Sequence, residues 1–115
     1  MASKQIIKNF FVKEDSTVNS FVVDTSRVIF SPPPEMQRQI INAVEKLARY
    51  LRLKDGLIHS QFIWDGCNIY LIDINRRIAG DLYSQLIELS TGYPYVENYV
   101  RPFLGLSYKN IEDND

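Results

Sequence analysis

The sequence has one cysteine, Cys67, and one histidine, His59, among its 115 residues. A single cysteine excludes an internal disulfide framework and a zinc site made of several thiolates. The 13 lysines and arginines are balanced by 14 aspartates and glutamates, which argues against a protein that coats nucleic acid or an anionic membrane. No run reaches the roughly 18 apolar residues of a membrane span, and the N-terminus lacks the apolar core of a secretory signal. We therefore expect a cytoplasmic protein without nucleic-acid or membrane partners.

The short motifs of many nucleotide-binding proteins and hydrolases are also absent. The sequence contains no G-x-x-x-x-G-K-[ST], no G-x-G-x-x-G, no H-E-x-x-H and no G-x-S-x-G. His59 and Cys67 are suitable residue types for a base and a nucleophile, but nothing in the sequence brings them together. Any chemistry must therefore come from a less common pattern of residues.

The composition is that of a folded globular protein. Hydrophobic residues make up 45% and charged residues 23% of the chain. A length of 115 residues is enough for one domain and too short for two ordinary cores. We predict one subdomain over residues 1–108, followed by a loose polar tail over residues 109–115.

The N-terminal part has the composition of three short strands. Residues 5–12, 17–23 and 27–30 are rich in β-branched and aromatic side chains, and polar turns over residues 13–16 and 24–26 separate them. Short strands joined by tight turns favour antiparallel pairing.

A long amphipathic helix is predicted over residues 35–53, because its apolar residues recur at spacings of three and four. The apolar stripe consists of Met36, Ile40, Ile41, Val44, Leu47, Ala48 and Leu51. The prolines at positions 32–34 suit the N-terminal edge of a helix. Gly56 is the residue that we expect to follow the helix in a left-handed conformation.

The clearest local prediction is a hairpin formed by residues 57–64 and 68–75, because Asp65-Gly66 is a strong turn signal between two β-rich runs. A second helix is predicted over residues 81–90 and a third up to Gly105. The expected buried residues of the second helix are Leu82, Leu86, Ile87 and Leu89, and those of the third are Val96, Tyr99, Val100, Phe103 and Leu104. The order of elements predicts an α+β fold, with a mostly antiparallel sheet and helices packed on one face.

The most informative stretch is residues 71–80. A side-chain period of two places Asp73, Asn75 and Arg77 on the same face of the strand. Oxygen ligands two residues apart suit a hard cation such as Mg²⁺, and an arginine beside them suits a phosphate bound to that cation. The alternative is a solvated polar strand edge with no ligand, and the spacing alone leaves both readings open.

Gln61, on the neighbouring strand, can supply a third oxygen only in one hairpin register. A two-residue turn at Asp65-Gly66 pairs Gln61 with Tyr70 and sends Asp73 to the opposite face. One additional residue in the turn, with Cys67 as a bulge, returns Gln61 and Asp73 to one face. A shared cation therefore requires a turn of odd length.

On these residues the chain resembles the C-terminal half of an ATP-grasp domain. That family carries an acidic or amide ligand on one strand and the motif E-x-N-x-R-x-x-G on its hairpin partner. Gln61 matches the first position, and residues 73–80 (Asp-Ile-Asn-Arg-Arg-Ile-Ala-Gly) match the second. Glutamine as the first ligand is similar to the carbamoyl-phosphate synthase branch, whereas the run from Arg77 onwards looks more like the amino-acid and carboxylate–amine ligases.

The resemblance implies an ATP- and Mg²⁺-dependent ligase, in which Mn²⁺ can replace Mg²⁺. Gln61, Asp73 and Asn75 would hold the metal, and Arg77 would be the catalytic residue that binds the transferred phosphate. The reaction implied is phosphorylation of a carboxylate by ATP, followed by attack of an amine to form an amide-type bond. His59 would either help to bind ATP or substrate on this face or be a hydrogen-bonded structural histidine.

The resemblance also implies a partner, because the family's other half supplies much of the nucleotide site. The chain would be an excised fragment or one half of a split enzyme, inactive alone, and the apolar surface left uncovered would favour self-association. The alternative is a non-catalytic binding or scaffold module that retains the fold.

Overall fold

The computed structural model describes residues 9–16, 23, 25–80 and 82–109. The chain divides into two compact units, Met1–Ser31 and Pro32–Asp115. The described residues form two two-stranded antiparallel sheets and three α-helices, which confirms the predicted α+β class. The prediction of a single subdomain that extends to residue 108 stays a prediction.

The first unit contains a hairpin of β1 (Phe11–Asp15) and β2 (Thr25–Ile29), paired from Phe11 opposite Ile29 to Asp15 opposite Thr25. The predicted polar turns are wrong for residues 13–15, which lie within β1, and for residues 25–26, which lie within β2. Cross-strand hydrogen bonding outweighs the low strand propensity of charged residues here. Of the other strand and turn predictions in this unit, residues 5–8, 17–22 and 24 lie outside the described residues.

The second unit opens with helix α1 (Pro34–Tyr50), as the apolar spacing predicts. Its first turn follows Pro33, whose carbonyl accepts a hydrogen bond from the backbone N–H of Gln37 at 3.1 Å. Proline fits this position because the first helical N–H groups have no partner within the helix. Met36 and Ile40 are the residues of the predicted stripe that are buried.

Helix α1 ends earlier than predicted, and a residue other than Gly56 adopts the left-handed conformation that follows it. Arg52 adopts a left-handed conformation, with φ at 53°. The backbone N–H of Arg52 bonds to the carbonyl of Arg49 at 3.1 Å, and that of Leu53 bonds to the carbonyl of Ala48 at 2.9 Å. This pattern is a Schellman motif, in which the left-handed residue is usually glycine. The prediction that Gly56 follows the helix in this role is therefore wrong, and Leu51 is exposed.

The predicted hairpin is confirmed as β3 (His59–Trp64) paired with β4 (Ile69–Asn75). Its connecting loop begins at Asp65, whose Oδ1 accepts hydrogen bonds from the backbone N–H groups of Cys67 at 2.8 Å and Asn68 at 2.7 Å. The Tyr70 hydroxyl donates to Oδ2 of the same carboxylate at 3.1 Å. The loop is thus organised around one side chain.

The side-chain amide of Gln39 attaches α1 to this hairpin. Its Nε2 donates to the carbonyl of Cys67 at 2.8 Å, and its Oε1 accepts from the backbone N–H of Ile69 at 3.0 Å. An amide can satisfy both a carbonyl and an N–H group of another segment, as a neighbouring strand would. Gln39 therefore fixes the turn end of the hairpin against the helix.

The C-terminal part contains α2 (Tyr83–Thr91), α3 (Tyr95–Val100) and a 3-10 helix (Arg101–Leu104). Ile87 is buried as predicted. The prediction of burial is wrong for several other residues, because no second layer covers their side of the helices within the described residues. The exposed residues are Leu82, Leu89, Val96, Val100, Phe103 and Leu104.

A second amide holds the segment that follows the 3-10 helix. Asn98 is buried, its Nδ2 donates to the carbonyl of Lys109 at 2.8 Å, and its Oδ1 accepts from the Lys109 N–H at 2.7 Å. Lys109 is therefore held in place by these two bonds, whereas residues 110–115 lie outside the described residues, and the loose tail predicted over residues 109–115 stays a prediction. Within the described parts of the chain, none of the helices combines the length and apolar character that crossing a membrane requires.

The Schellman motif generates a stability prediction. Replacing Arg52 with glycine removes the steric cost of a β-carbon in the left-handed region, so we expect the free energy of unfolding to rise by about 0.5–1 kcal/mol. Urea denaturation followed by circular dichroism measures the change. Lys46→Gly, at an exposed position inside α1, is the matched control and should lower stability by about 1 kcal/mol. Equal losses in both variants would contradict the assignment of the motif.

The Asp65 loop generates a pH prediction. Hydrogen bonds from the Asn68 and Cys67 N–H groups hold the pKa of the Asp65 carboxyl below its ordinary value. A lowered folded-state pKa stabilises the protein above the unfolded-state pKa, and this stabilisation is lost as the pH falls through the folded-state pKa. We expect Asp65→Asn to lower the urea midpoint at about pH 6, and we expect this difference to shrink at lower pH as the wild-type Asp65 carboxylate becomes protonated. A difference that persists unchanged at the lower pH would exclude the ionised carboxylate as its source.

Candidate functional site

The hairpin register brings the predicted metal ligands to one face of the β3–β4 sheet. Gln61 is directly opposite Asp73, and His59 is directly opposite Asn75. Side chains of directly opposite residues point to the same side of an antiparallel pair, and the face repeats every second residue. His59, Gln61, Asp73 and Asn75 therefore form a polar group at the open end of the hairpin, away from its connecting loop.

One extra residue in β4 produces this arrangement. Phe62 pairs with Leu71 while Gln61 pairs with Asp73, so Ile72 is a bulge between the two pairs. The connecting loop lies between Trp64 and its partner Ile69, and therefore has four residues. The predicted requirement for a turn of odd length is wrong, because the additional residue is Ile72 within β4 and not Cys67 in the connecting loop. Its effect on the register is nonetheless the one that a shared cation requires.

The face that carries these residues is open to solvent. Gln61 and Asp73 are exposed, whereas His59 and Asn75 at the end of the ladder are half-buried. Farther towards the loop, the same face carries the exposed pair Ile63 and Tyr70. The face is therefore accessible, with a polar end and an apolar end.

The polar group has the donor chemistry of a hard-cation site. Asn75 Nδ2 donates a hydrogen bond to Asp73 Oδ2 at 2.6 Å, so the two side chains are already in contact. Carboxylate and amide oxygens are ligands that Mg²⁺ accepts, usually with several waters retained. Joint ligation would require the Asn75 amide to turn, so that its oxygen replaces its nitrogen beside the cation. No group of three or more His, Cys, Asp or Glu side chains suited to a metal occurs among the described residues, so amide oxygens would have to take part.

Arg77 lies beyond the end of β4, although its orientation was predicted from the periodicity of that strand. β4 ends at Asn75, and the chain bends at Arg76 and Arg77. The argument from strand periodicity therefore does not extend to Arg77, and its place on the same face as Asp73 stays a prediction. Its side chain is exposed and its Nη1 donates to the carbonyl of Ile78 at 3.1 Å. The guanidinium is thus near the open end of the hairpin and accessible to an anion.

Sequence reasoning did not identify the part played by Arg76. Its Nη2 donates to the carbonyl of Lys54 at 2.9 Å and to that of Asp55 at 3.3 Å. Gly56, the next residue, has φ at 149° and lies so close that a β-carbon there would overlap the Arg76 guanidinium. The signal available in the sequence was Gly56 itself, which was instead predicted to be the left-handed residue that follows α1.

The position of His59 is compatible with both of its predicted roles. It is the first residue of β3, half-buried, and opposite Asn75. That position suits either a ligand-binding side chain at the edge of the polar group or a structural histidine at the end of the ladder. Its part in binding ATP stays a prediction. Asp81, the residue expected to begin the helix beside the site, lies outside the described residues, and α2 begins at Tyr83.

Comparison with known proteins gives one informative similarity. No family model matches the chain, and no solved structure matches it significantly. The chain is 29% identical, over 79 residues, to the carbamoyl phosphate synthase large chain of Clostridium acetobutylicum. The similar segment covers 69% of this chain and 7% of that protein, so the chain corresponds to a small part of its relative. This similarity gives weak support to a region of the carbamoyl phosphate synthase type.

Proposed function

We propose that the chain is the C-terminal part of an ATP-grasp ligase that resembles carbamoyl phosphate synthase. The similarity to the large chain of that enzyme supports a ligase and ATP binding at the level of the family. The proposed reaction is transfer of the γ-phosphoryl group of ATP to a carboxylate, which releases ADP, followed by attack of an amine on the acyl phosphate, which forms an amide-type bond and releases inorganic phosphate.

The observation that carries the proposal is the pairing of Gln61 with Asp73 across the ladder. These two exposed side chains, with Asn75 on the same face, present three oxygen-bearing groups to one region of solvent. The same group could be a solvated strand edge. A bulge that restores this register has a clear use in a cation site, because bulges commonly redirect a side chain beside an active site.

In the proposed site, Gln61, Asp73 and Asn75 hold Mg²⁺ or Mn²⁺. Bound Mg²⁺ would neutralise charge on the phosphates of ATP. Arg77, accessible beyond the end of β4, binds the oxygens of the transferred phosphoryl group, to which a planar guanidinium is well suited. His59 contacts the nucleotide or substrate from the adjoining end of β3.

The chain alone is proposed to be inactive. Its matched segment covers 7% of the carbamoyl phosphate synthase relative, and the resemblance assigns most of the nucleotide site to the other half of the ATP-grasp domain. The proposed partner is therefore that half, supplied on the same longer protein or on a separate chain.

Mutation of Asp73 tests the metal site. We expect Mn²⁺ with ATP to broaden the NMR signals of Gln61, Asp73 and Asn75 in the wild-type protein, because paramagnetic relaxation reports proximity to the ion. Asp73→Asn removes the only carboxylate among the three proposed ligands, and the selective broadening should disappear.

The matched control is Asp15→Asn, the same change at a strand residue of the first unit, where Asp15 forms a 3.5 Å ion pair with Lys13. This control should keep the broadening of the hairpin signals. Absence of broadening in the wild-type protein, or its persistence in Asp73→Asn, would contradict the metal site and favour the non-catalytic binding module.

The exposed apolar residues predict self-association of the chain. Leu82, Leu89 and Phe103 are 72%, 88% and 77% exposed, respectively. Exposed apolar surface of this kind is uncommon on a soluble monomer. We expect size-exclusion chromatography with light scattering to show a mass that rises with concentration, and expect Leu89→Lys with Phe103→Lys to reduce the rise. A constant monomer mass at high concentration would contradict this expectation.

A further inference from the structure

The contact between Arg76 and the backbone before β3 lies next to the proposed site. The guanidinium Nη2 donates to two successive carbonyls, those of Lys54 and Asp55, which are 22 and 21 residues earlier in the chain. Hydrogen bonds from a charged donor are stronger than those from a neutral one. A side chain at the end of β4 thus holds the segment that leads into β3.

Gly56 makes this contact sterically feasible. Its φ of 149° is unfavourable for residues with a β-carbon, and the position of a β-carbon would overlap the Arg76 guanidinium. A side chain at position 56 would therefore require the Arg76 guanidinium to shift from its present position beside the backbone.

The contact closes the open end of the hairpin. Arg76 directly follows Asn75, and Asn75 pairs with His59 at the first position of β3. The connecting loop holds the opposite end of the hairpin, and the Ile72 bulge interrupts the ladder between the two ends. A two-stranded hairpin is only marginally stable alone, so its open end needs a further restraint.

The segment near Lys109 also approaches this contact. Burial is the main cause that raises the pKa of the Tyr108 hydroxyl, the charge of Asp55 raises it further, and Arg76 acts in the opposite direction. The Tyr108 hydroxyl therefore interacts electrostatically with the charges of Asp55 and Arg76. Asn98 fixes the next residue, Lys109, through two hydrogen bonds.

We propose that Arg76 is a positioning residue for the metal site, an inference that rests on the function proposed above. By tying the end of β4 to the segment before β3, Arg76 keeps Asn75 and Asp73 in register with His59 and Gln61. It also fixes the backbone from which Arg77 extends. Arg76 does not contact the metal or the nucleotide in this proposal.

The test compares Mn²⁺ affinity, in the presence of ATP, between the wild-type protein and Arg76→Met. The methionine keeps an unbranched stem and loses the donors. Residues that hold metal ligands in position typically contribute about 10- to 100-fold to metal affinity, and Arg76 acts on the ligands through the backbone, so we expect a loss near the lower end, about tenfold. Arg76→Lys retains a cationic donor and should recover part of the affinity.

Gln39→Ala is the matched control for a general loss of stability. It removes the two hydrogen bonds that fix the loop end of the same hairpin and leaves the Arg76 contact intact. We expect both Gln39→Ala and Arg76→Met to lower the urea midpoint, but only Arg76→Met to weaken Mn²⁺ binding. Hydrogen exchange at the Asn75 amide should accelerate in Arg76→Met alone.

Three outcomes would overturn the inference, and they differ in what they say about the site. Unchanged Mn²⁺ affinity in Arg76→Met, with a functioning wild-type site, would leave the proposed function intact and reject positioning by Arg76. Equal losses of Mn²⁺ affinity in Arg76→Met and Gln39→Ala would show that the weaker binding comes from a general loss of stability. Failure of the wild-type protein to bind Mn²⁺ would reject the proposed function and the inference together.

Discussion

The extra residue in β4 controls which side chains share a face of the second sheet. Because the side chains of a strand alternate, inserting one residue moves every later side chain to the opposite side. Ile72 is that residue, and its insertion places Asp73 opposite Gln61 and Asn75 opposite His59. Without it, Gln61 would lie on the opposite side of the sheet from Asp73 and Asn75. The candidate site therefore depends on one irregularity in an otherwise regular ladder.

Polar contacts replace much of the support that a large core would give. Met36, Ile40 and Ile87 are the buried hydrophobic residues of the described chain. Around them, side chains fix particular segments: Gln39 fixes the loop end of the hairpin and Asn98 fixes the segment at Lys109, each by accepting from an N–H and donating to a carbonyl. These bonds specify geometry more than they add stability, because each net contribution is about 1 kcal/mol.

The proposed function is consistent with a structure that has a small core and an open sheet face. A site that lies on an open sheet face, with Gln61 and Asp73 exposed, has oxygen ligands on one side and solvent on the other. A cation and a nucleotide would need a second surface to enclose them, and the exposed apolar side chains of α2 and the 3-10 helix offer contact area for another chain or domain. The similar segment covers 7% of the carbamoyl phosphate synthase large chain, so the chain corresponds to a small part of that relative.

The sequence by itself determined the existence of α1, the β3–β4 hairpin and α2, because apolar spacing and the Asp65-Gly66 turn signal are local properties of the chain. It did not determine where elements end: Arg52 rather than glycine occupies the left-handed position, and residues 13–15 join β1 instead of forming a turn. Only the tertiary structure decided the bulge at Ile72, the contact of Arg76 with the segment before β3 and the exposure of Leu82 and Leu89. The physical reason is that strand register, long-range hydrogen bonds and burial depend on which distant segments meet, and residue spacing along the chain does not contain that information.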